Sequence, residues 1–113
     1  MDCIFCKIAK DLLPSTKLYE DEHFFIVNDI DPKAKLHYLA IPKRHYSGFS
    51  DMQSRDGDIL GHIFSTIGML EEQLKLKKGY RIIVNQGEDG GQTVAHLHIH
   101  ILGGQKLEHK AEF

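Results

Sequence analysis

The sequence predicts a single α+β domain, and three observations carry that reading. Two short apolar runs flank the acidic turn Asp21-Glu22, one amphipathic stretch of helical period fills the middle of the chain, and the last two β-like runs are joined by a connection too short for a parallel crossover. At 113 residues the chain is long enough for one core and too short for two, so residues 1–113 are expected to form one domain with one site per protomer.

Each element has a local reason. Cys3 to Lys10 spaces Ile4, Phe5 and Ile8 as a helix does and then meets Leu12-Leu13-Pro14-Ser15, which stops it. Lys17 to Glu20 and His23 to Asn28 read as a hairpin, closed by the turn signature Asp29-Ile30-Asp31-Pro32. Leu36 to Ile41 is a third strand ending at Pro42. From Asp58 to Leu76 the apolar residues Ile59, Leu60, Ile63, Phe64, Ile67, Leu70 and Leu74 recur every three or four positions, which predicts one long helix with Gly79 beyond its end. Tyr80 to Asn85 and Thr93 to Leu102 are the last strands, with a glycine-rich loop over Gln86 to Gln92. The segment from Lys106 to Phe113 is polar enough to be a loose tail or a late docking strap.

Charge and composition exclude some classes of function. A formal net charge of -2, without a basic stripe, argues against nucleic acid as partner, while a small discrete anion stays open. No run of about 18 apolar residues offers a membrane span, and Met1-Asp2-Cys3 lacks the basic-then-apolar order of a secretory signal, so a cytoplasmic protein with no membrane partner is expected. The cysteines, Cys3 and Cys6, stand three apart; in a reducing compartment such a pair is a metal clip, a redox pair, or two thiols packed as small apolar groups.

Eight histidines are many for this length, and three of them alternate strictly in His96-Leu97-His98-Ile99-His100-Ile101-Leu102. On a strand this pattern puts the imidazoles on one face and the aliphatic residues on the other. Imidazoles packed together disfavour one another's protonation, so at neutral pH a free-base nucleophile and a hydrogen-bond donor can share that face. Just upstream, Gly87-Glu88-Asp89-Gly90-Gly91-Gln92-Thr93 combines glycines, whose N–H groups can approach an anion, with amide and hydroxyl donors. Placed beside the histidines, such a loop could cradle a phosphate. His23, His62 and His109 fall in no motif and read as surface histidines.

At these residues the chain resembles the histidine triad family, whose signature His-φ-His-φ-His-φ-φ (φ apolar) is matched in full from His96 to Leu102. The resemblance extends through Asp2-Cys3-Ile4-Phe5-Cys6-Lys7-Ile8, Tyr19-Glu20-Asp21-Glu22, Asp29-Ile30, residues 37–45 and residues 79–85. Gly90-Gly91-Gln92-Thr93-Val94 and Gly103-Gly104 look like its Hint branch of purine nucleoside phosphoramidases, with diadenosine polyphosphate hydrolases as the nearest rival. The galactose-1-phosphate uridylyltransferase branch carries glutamine where this chain has His100.

The resemblance implies a five-stranded antiparallel sheet with one long helix and a short N-terminal helix, and a homodimer whose sheets join. It implies His98 as nucleophile, with His96, His100 and His37 completing the catalytic group and no catalytic cofactor required. Asp29 would take the ribose hydroxyls, and Asn85, Gly91, Gln92, Thr93 and His100 the phosphate. Ile4, Phe5, Ile8, Leu13, Val27 and Ile30 would wall a purine, although each could equally be core. Some bacterial-type relatives complete a structural zinc site with histidines at the positions of His45 and His96, so the resemblance implies Zn2+ on Cys3, Cys6, His45 and His96. The activity so implied is release of a nucleoside monophosphate (AMP or GMP) from a phosphoramidate through a nucleotidyl-histidine intermediate. Dinucleoside polyphosphate hydrolysis and a non-catalytic nucleotide-binding or scaffold role are the alternatives.

Overall fold

A computed structural model describes residues 3–109. Along the chain run α1 (Ile4–Ala9), β1 (Tyr19–Glu20), β2 (Phe24–Asn28), β3 (Leu36–Pro42), two 3-10 turns at Phe49–Asp51 and Ser54–Asp56, α2 (Gly57–Met69), β4 (Arg81–Ile83) and β5 (Ile99–Gly103). The strands form one sheet in the order β1-β2-β3-β5-β4, antiparallel at every junction. The α+β class and the five antiparallel strands are therefore as the sequence predicts.

The alternation of the strands divides the interior into two layers. Phe24 and Ile26 of β2, Tyr38 and Ala40 of β3, and Ile99 and Ile101 of β5 pack with Ile63 and Ile67 of α2 and with Leu74 and Leu76. Phe25, Val27, Leu39 and Ile41 belong instead to a second cluster, with Cys3 and with Phe5 of α1. Each fully buried apolar side chain of this size contributes about 1.5–3 kcal/mol. His37, in register with Leu102, and His100, in register with Leu39, lie within this alternation and put imidazoles beside the second layer.

Three boundaries differ from the sequence reading, each for a tertiary reason. The helix expected to reach Leu76 ends at Met69: the Leu70 N–H bonds both Thr66 and Ile67 carbonyls, and turns follow, with Lys75 at φ +62°. Those turns keep Leu74 and Leu76 buried and let the Leu74 carbonyl accept from the Tyr38 hydroxyl at 2.8 Å. Apolar spacing by three or four thus finds Ile63, Ile67 and Leu74 of the buried face without specifying the backbone that presents them, while Phe64 of the same series stays exposed. The final strand, expected from Thr93, begins its pairing only at Ile99, because the Leu97 N–H is given to the Tyr46 carbonyl at 2.6 Å. The run over 80–85 pairs only across Arg81–Ile83, at the sheet edge.

Beyond β5, the Lys35 N–H bonds the Gln105 side chain and Arg81 holds the Glu108 carbonyl at 2.8 Å, so the start of the C-terminal segment is strapped to the sheet. Residues 110–113 of that segment lie outside the described residues. Among the described residues no helix is long and apolar enough to cross a membrane.

Candidate functional site

His98 sits just ahead of β5 and is buried. Its Nδ1 lies 2.7 Å from the carbonyl of His96. A carbonyl can only accept, so Nδ1 carries the proton and Nε2 keeps the lone pair. The ring of His100 stands 5.0 Å away, centroid to centroid.

A chain of hydrogen bonds fixes the neighbouring tautomers in turn. The backbone N–H of Lys33 donates to His37 Nδ1 at 2.9 Å, so neutral His37 carries its proton on Nε2. That nitrogen lies 2.9 Å from His100 Nδ1, which must accept, leaving the His100 proton on Nε2. The Asp29 carboxylate closes the group at 3.3 Å from His37 Nε2 and 3.9 Å from His100 Nδ1. Burial lowers the pKa of His37, with Asp29 opposing. Burial, aided by the charges that His98 and His37 would carry, pushes His100 down to about 4. Both rings are therefore neutral at pH 7, and the pair of lone-pair Nε2 on His98 and Nε2–H on His100 follows from backbone geometry.

These groups open on a cavity of about 450 Å3. Of the residues singled out in the sequence, Ile4, Phe5, Ile8, Val27, Asp29, Ile30, His37, Asn85, Gly91, Thr93, His98 and His100 line it. Ile30 is 101% exposed, an apolar side chain held out in the open at the cavity wall. Three expected residues do not line it. Leu13 lies elsewhere, half exposed. Gln92 spends its amide closing the loop and tying it down: its Oε1 accepts from the Gly87 N–H, and its Nε2 donates to the Ser47 and Val94 carbonyls. The glycines of this loop are sterically required, since a Cβ on Gly90 would lie 2.2 Å from the Gln86 carbonyl oxygen and Gly91 sits at φ +82°.

His96 is the third: its ring lies on the same α1 side as that of His98, the Phe5 ring meeting both, but it turns into a neighbouring cluster and not into the cavity. Fully buried, it donates from Nε2 to the Pro42 carbonyl at 2.8 Å and turns Nδ1 towards Cys3 Sγ at 3.2 Å, Cys6 Sγ at 3.5 Å and His45 Nδ1 at 3.0 Å. Cys6 Sγ is also 3.3 Å from His45 Nδ1. The donor atoms of Cys3, Cys6, His45 and His96 lie within 4.8 Å of one another, a set that could hold a metal ion. The chemistry fits: the Pro42 carbonyl fixes the His96 tautomer whose Nδ1 lone pair is free to ligate, as an outer partner of a ligating histidine does. Donor separations in a tetrahedral Cys2His2 site are about 3.3–3.8 Å, close to those seen here. Burial and the neighbouring Cys3 raise the Cys6 thiol pKa, so a cation is what would make that sulfur a thiolate.

Sequence reasoning missed several wall residues: Ser15, Asn28, Asp31, Lys33, Leu39, Val94 and Leu102. Leu39 and Leu102 were legible from period-2 alternation with His37 and His100, whereas Ser15 follows a helix stop and carries no signal. His62, read as a surface histidine, is half buried with Nε2 2.6 Å from Asp21 Oδ2. Burial works against the Asp21 charge, but bonds from His62, Tyr19 and two backbone N–H groups hold its carboxyl well below the usual range. His23 and His109 are exposed, as expected.

A family model described as HIT domain matches residues 10–107. A histidine triad protein from Clostridium difficile superposes with a TM-score of 0.92 at 46% identity, covering 97% of this chain and 96% of its own. A structure described as a HIT family hydrolase from Legionella pneumophila Philadelphia 1 gives 0.90 at 37% identity, covering 95% and 96%. An uncharacterized HIT-like protein from Chlamydia muridarum is 40% identical over 107 residues, 95% of this chain and 85% of that protein.

Proposed function

This chain belongs to the HIT domain family, and on that footing we propose that it is a hydrolase that releases a purine nucleoside monophosphate from a phosphoramidate through a covalent intermediate on His98. The observation that carries the reading is the His98 Nδ1 to His96 carbonyl bond, which makes Nε2 a nucleophile on the wall of a cavity. The Legionella relative described as a hydrolase supports the reaction class.

The cavity suits the parts of such a substrate. Ile4, Phe5, Ile8, Val27 and the exposed Ile30 offer an apolar slot for a purine, and the Asp29 carboxylate can accept from ribose hydroxyls. Asn85, Thr93 and the backbone around Gly91 flank the place for a phosphate, with His100 Nε2–H as a further donor. His98 Nε2 attacks the α-phosphorus; a P–N bond to the imidazole forms as the bond to the leaving amine breaks, and the amine takes its proton from solvent, to which the attacking water of the second step returns one. The imidazolium so formed still donates from Nδ1 to the His96 carbonyl, which favours its positive charge. Water then attacks phosphorus, the P–N bond to His98 breaks, and nucleoside monophosphate leaves.

We read the Cys2His2 cluster as a structural zinc site, since its four donors are all protein groups and none lines the cavity. Bound there, zinc would tie α1 to the β3 end and the approach to β5. We also read the protein as a cytoplasmic homodimer, the dimer supported by the short edge strand β4 and the exposed Phe64 and Met69 of α2. Analytical ultracentrifugation giving only monomer at micromolar concentration would remove the dimer.

The enzymatic test is intact-protein mass spectrometry after acid quench with an adenosine phosphoramidate, alongside steady-state release of AMP. One added adenylyl group on wild type, absent from His98→Ala, is expected. Nucleotide binding with neither adduct nor release would reduce the cavity to a recognition site.

A further inference from the structure

The two ends of the site share a single peptide group. The carbonyl of His96 holds the His98 ring, and the N–H on the other side of that peptide, belonging to Leu97, bonds the Tyr46 carbonyl at 2.6 Å. Tyr46 follows His45, and Leu97 follows His96. The segments 45–46 and 96–97 are thus joined twice, once through this bond and once through the donor cluster, where the two Nδ1 atoms stand 3.0 Å apart.

The helix α1 makes a second link. At six residues it is too short to persist alone. Its N-cap is Cys3, whose Sγ accepts from the Cys6 N–H at 3.3 Å, so both cluster sulfurs lie in its first turn. The same turn carries Ile4 and Phe5 to the cavity wall. The Phe5 ring meets His96 edge-on at 5.7 Å and His98 at 5.3 Å, wedged against a cluster donor and the nucleophile together. Whatever fixes the cluster fixes α1, the Phe5 wedge and the 96–97 peptide.

We propose that the cluster is an effector metal site for the cavity, in which zinc binding and nucleotide binding reinforce each other through α1 and the 96–97 peptide, with His96 and Phe5 as positioning residues for His98. The proposal rests on the nucleotide reading of the cavity, and it makes the cluster more than a fastener. Because coupling between two binding sites is reciprocal, the factor by which zinc tightens nucleotide equals the factor by which nucleotide tightens zinc.

The test uses Zn2+ and AMP on the full chain. Zinc affinity is measured by competition with a chromophoric chelator, with and without saturating AMP, and AMP affinity by calorimetry at both zinc levels. A matched tightening of about 5-fold or more is expected in each direction. AMP binding with one affinity whatever the zinc level overturns the coupling and leaves the nucleotide reading intact. Failure of the zinc-loaded chain to bind AMP overturns both.

A second measurement keeps metal bound throughout, so that unfolding on metal removal cannot mimic coupling. The Co2+-loaded protein is expected to shift its visible d–d bands when AMP saturates the cavity, and Phe5→Leu to bind Co2+ normally while losing most of that shift. Bands unmoved by AMP in wild type overturn the proposal, and a full shift in Phe5→Leu overturns the role of Phe5.

Discussion

His96 and His100 stand four residues apart and belong to clusters of different kinds. Around His96, Cys3, Cys6 and His45 turn sulfur and nitrogen donors inward, and the one strong outside bond, to the Pro42 carbonyl, leaves the inner lone pair available. Around His100, Asp29 and His37 also lie within metal-binding distance of one another, yet His37 has no lone pair left: Nδ1 accepts from Lys33, and the Nε2 proton goes to His100. The first arrangement suits a cation, and the second stores a proton in a defined place beside a cavity. The lesson is that the partner on the far side of each ring, a backbone carbonyl or a backbone N–H, sets what the imidazole can do.

The largest effects should separate the clusters by function. His98→Ala is expected to lower AMP release by on the order of 10^4-fold or more and to abolish the adenylyl adduct. A loss below tenfold in the steady-state assay would show that the chemistry runs elsewhere. Replacing both sulfurs in Cys3→Ser/Cys6→Ser is expected to weaken zinc binding more than about 10^3-fold and to lower the Tm by roughly 10 °C, scanned by calorimetry in zinc-containing buffer. Asp29→Asn, in the other cluster, should leave zinc affinity unchanged while weakening AMP about 10-fold by titration calorimetry. Equal loss of zinc in both variants would erase the distinction.

The contrast is sharpened by pH. His100, pushed down from 6.5 to about 4, takes up a proton more readily in the unfolded chain than in the folded one. Its contribution to stability is therefore complete above about pH 6.5 and is lost as the pH falls through that value towards 4. Between pH 7 and pH 5 wild type should lose about 1 kcal/mol more than His100→Gln in urea denaturation, after discounting for partial exposure. A steeper loss in His100→Gln would reverse the sign of this argument. The smallest effect belongs outside both clusters: His62→Gln removes the partner of Asp21 on a half-exposed surface and should cost under about 1 kcal/mol, with turnover unchanged. A drop in AMP release would connect α2 to the site.

The α+β class and the five strands were legible in the amino-acid sequence, because period-2 and period-3.6 burial are local properties that a single chain segment displays, whereas the cavity wall was legible only through family resemblance. That resemblance put His98, His100, Asn85, Thr93 and Asp29 in one cavity and named the four donors of the cluster. Alternation also gathered His96 with the other two imidazoles without saying that its ring would face Cys3, Cys6 and His45 and not the cavity. The tertiary fold supplied the rest: the Tyr46 carbonyl takes the Leu97 N–H before the sheet can, Gln92 accepts from Gly87 to close its own loop, and Tyr38 meets the Leu74 carbonyl where a longer helix was expected. Tautomers belong to this second kind of information entirely. Which ring nitrogen carries the proton depends on the backbone group that chain folding brings opposite it, and no sequence pattern says that the Lys33 N–H, the Pro42 carbonyl and the His96 carbonyl will be those groups.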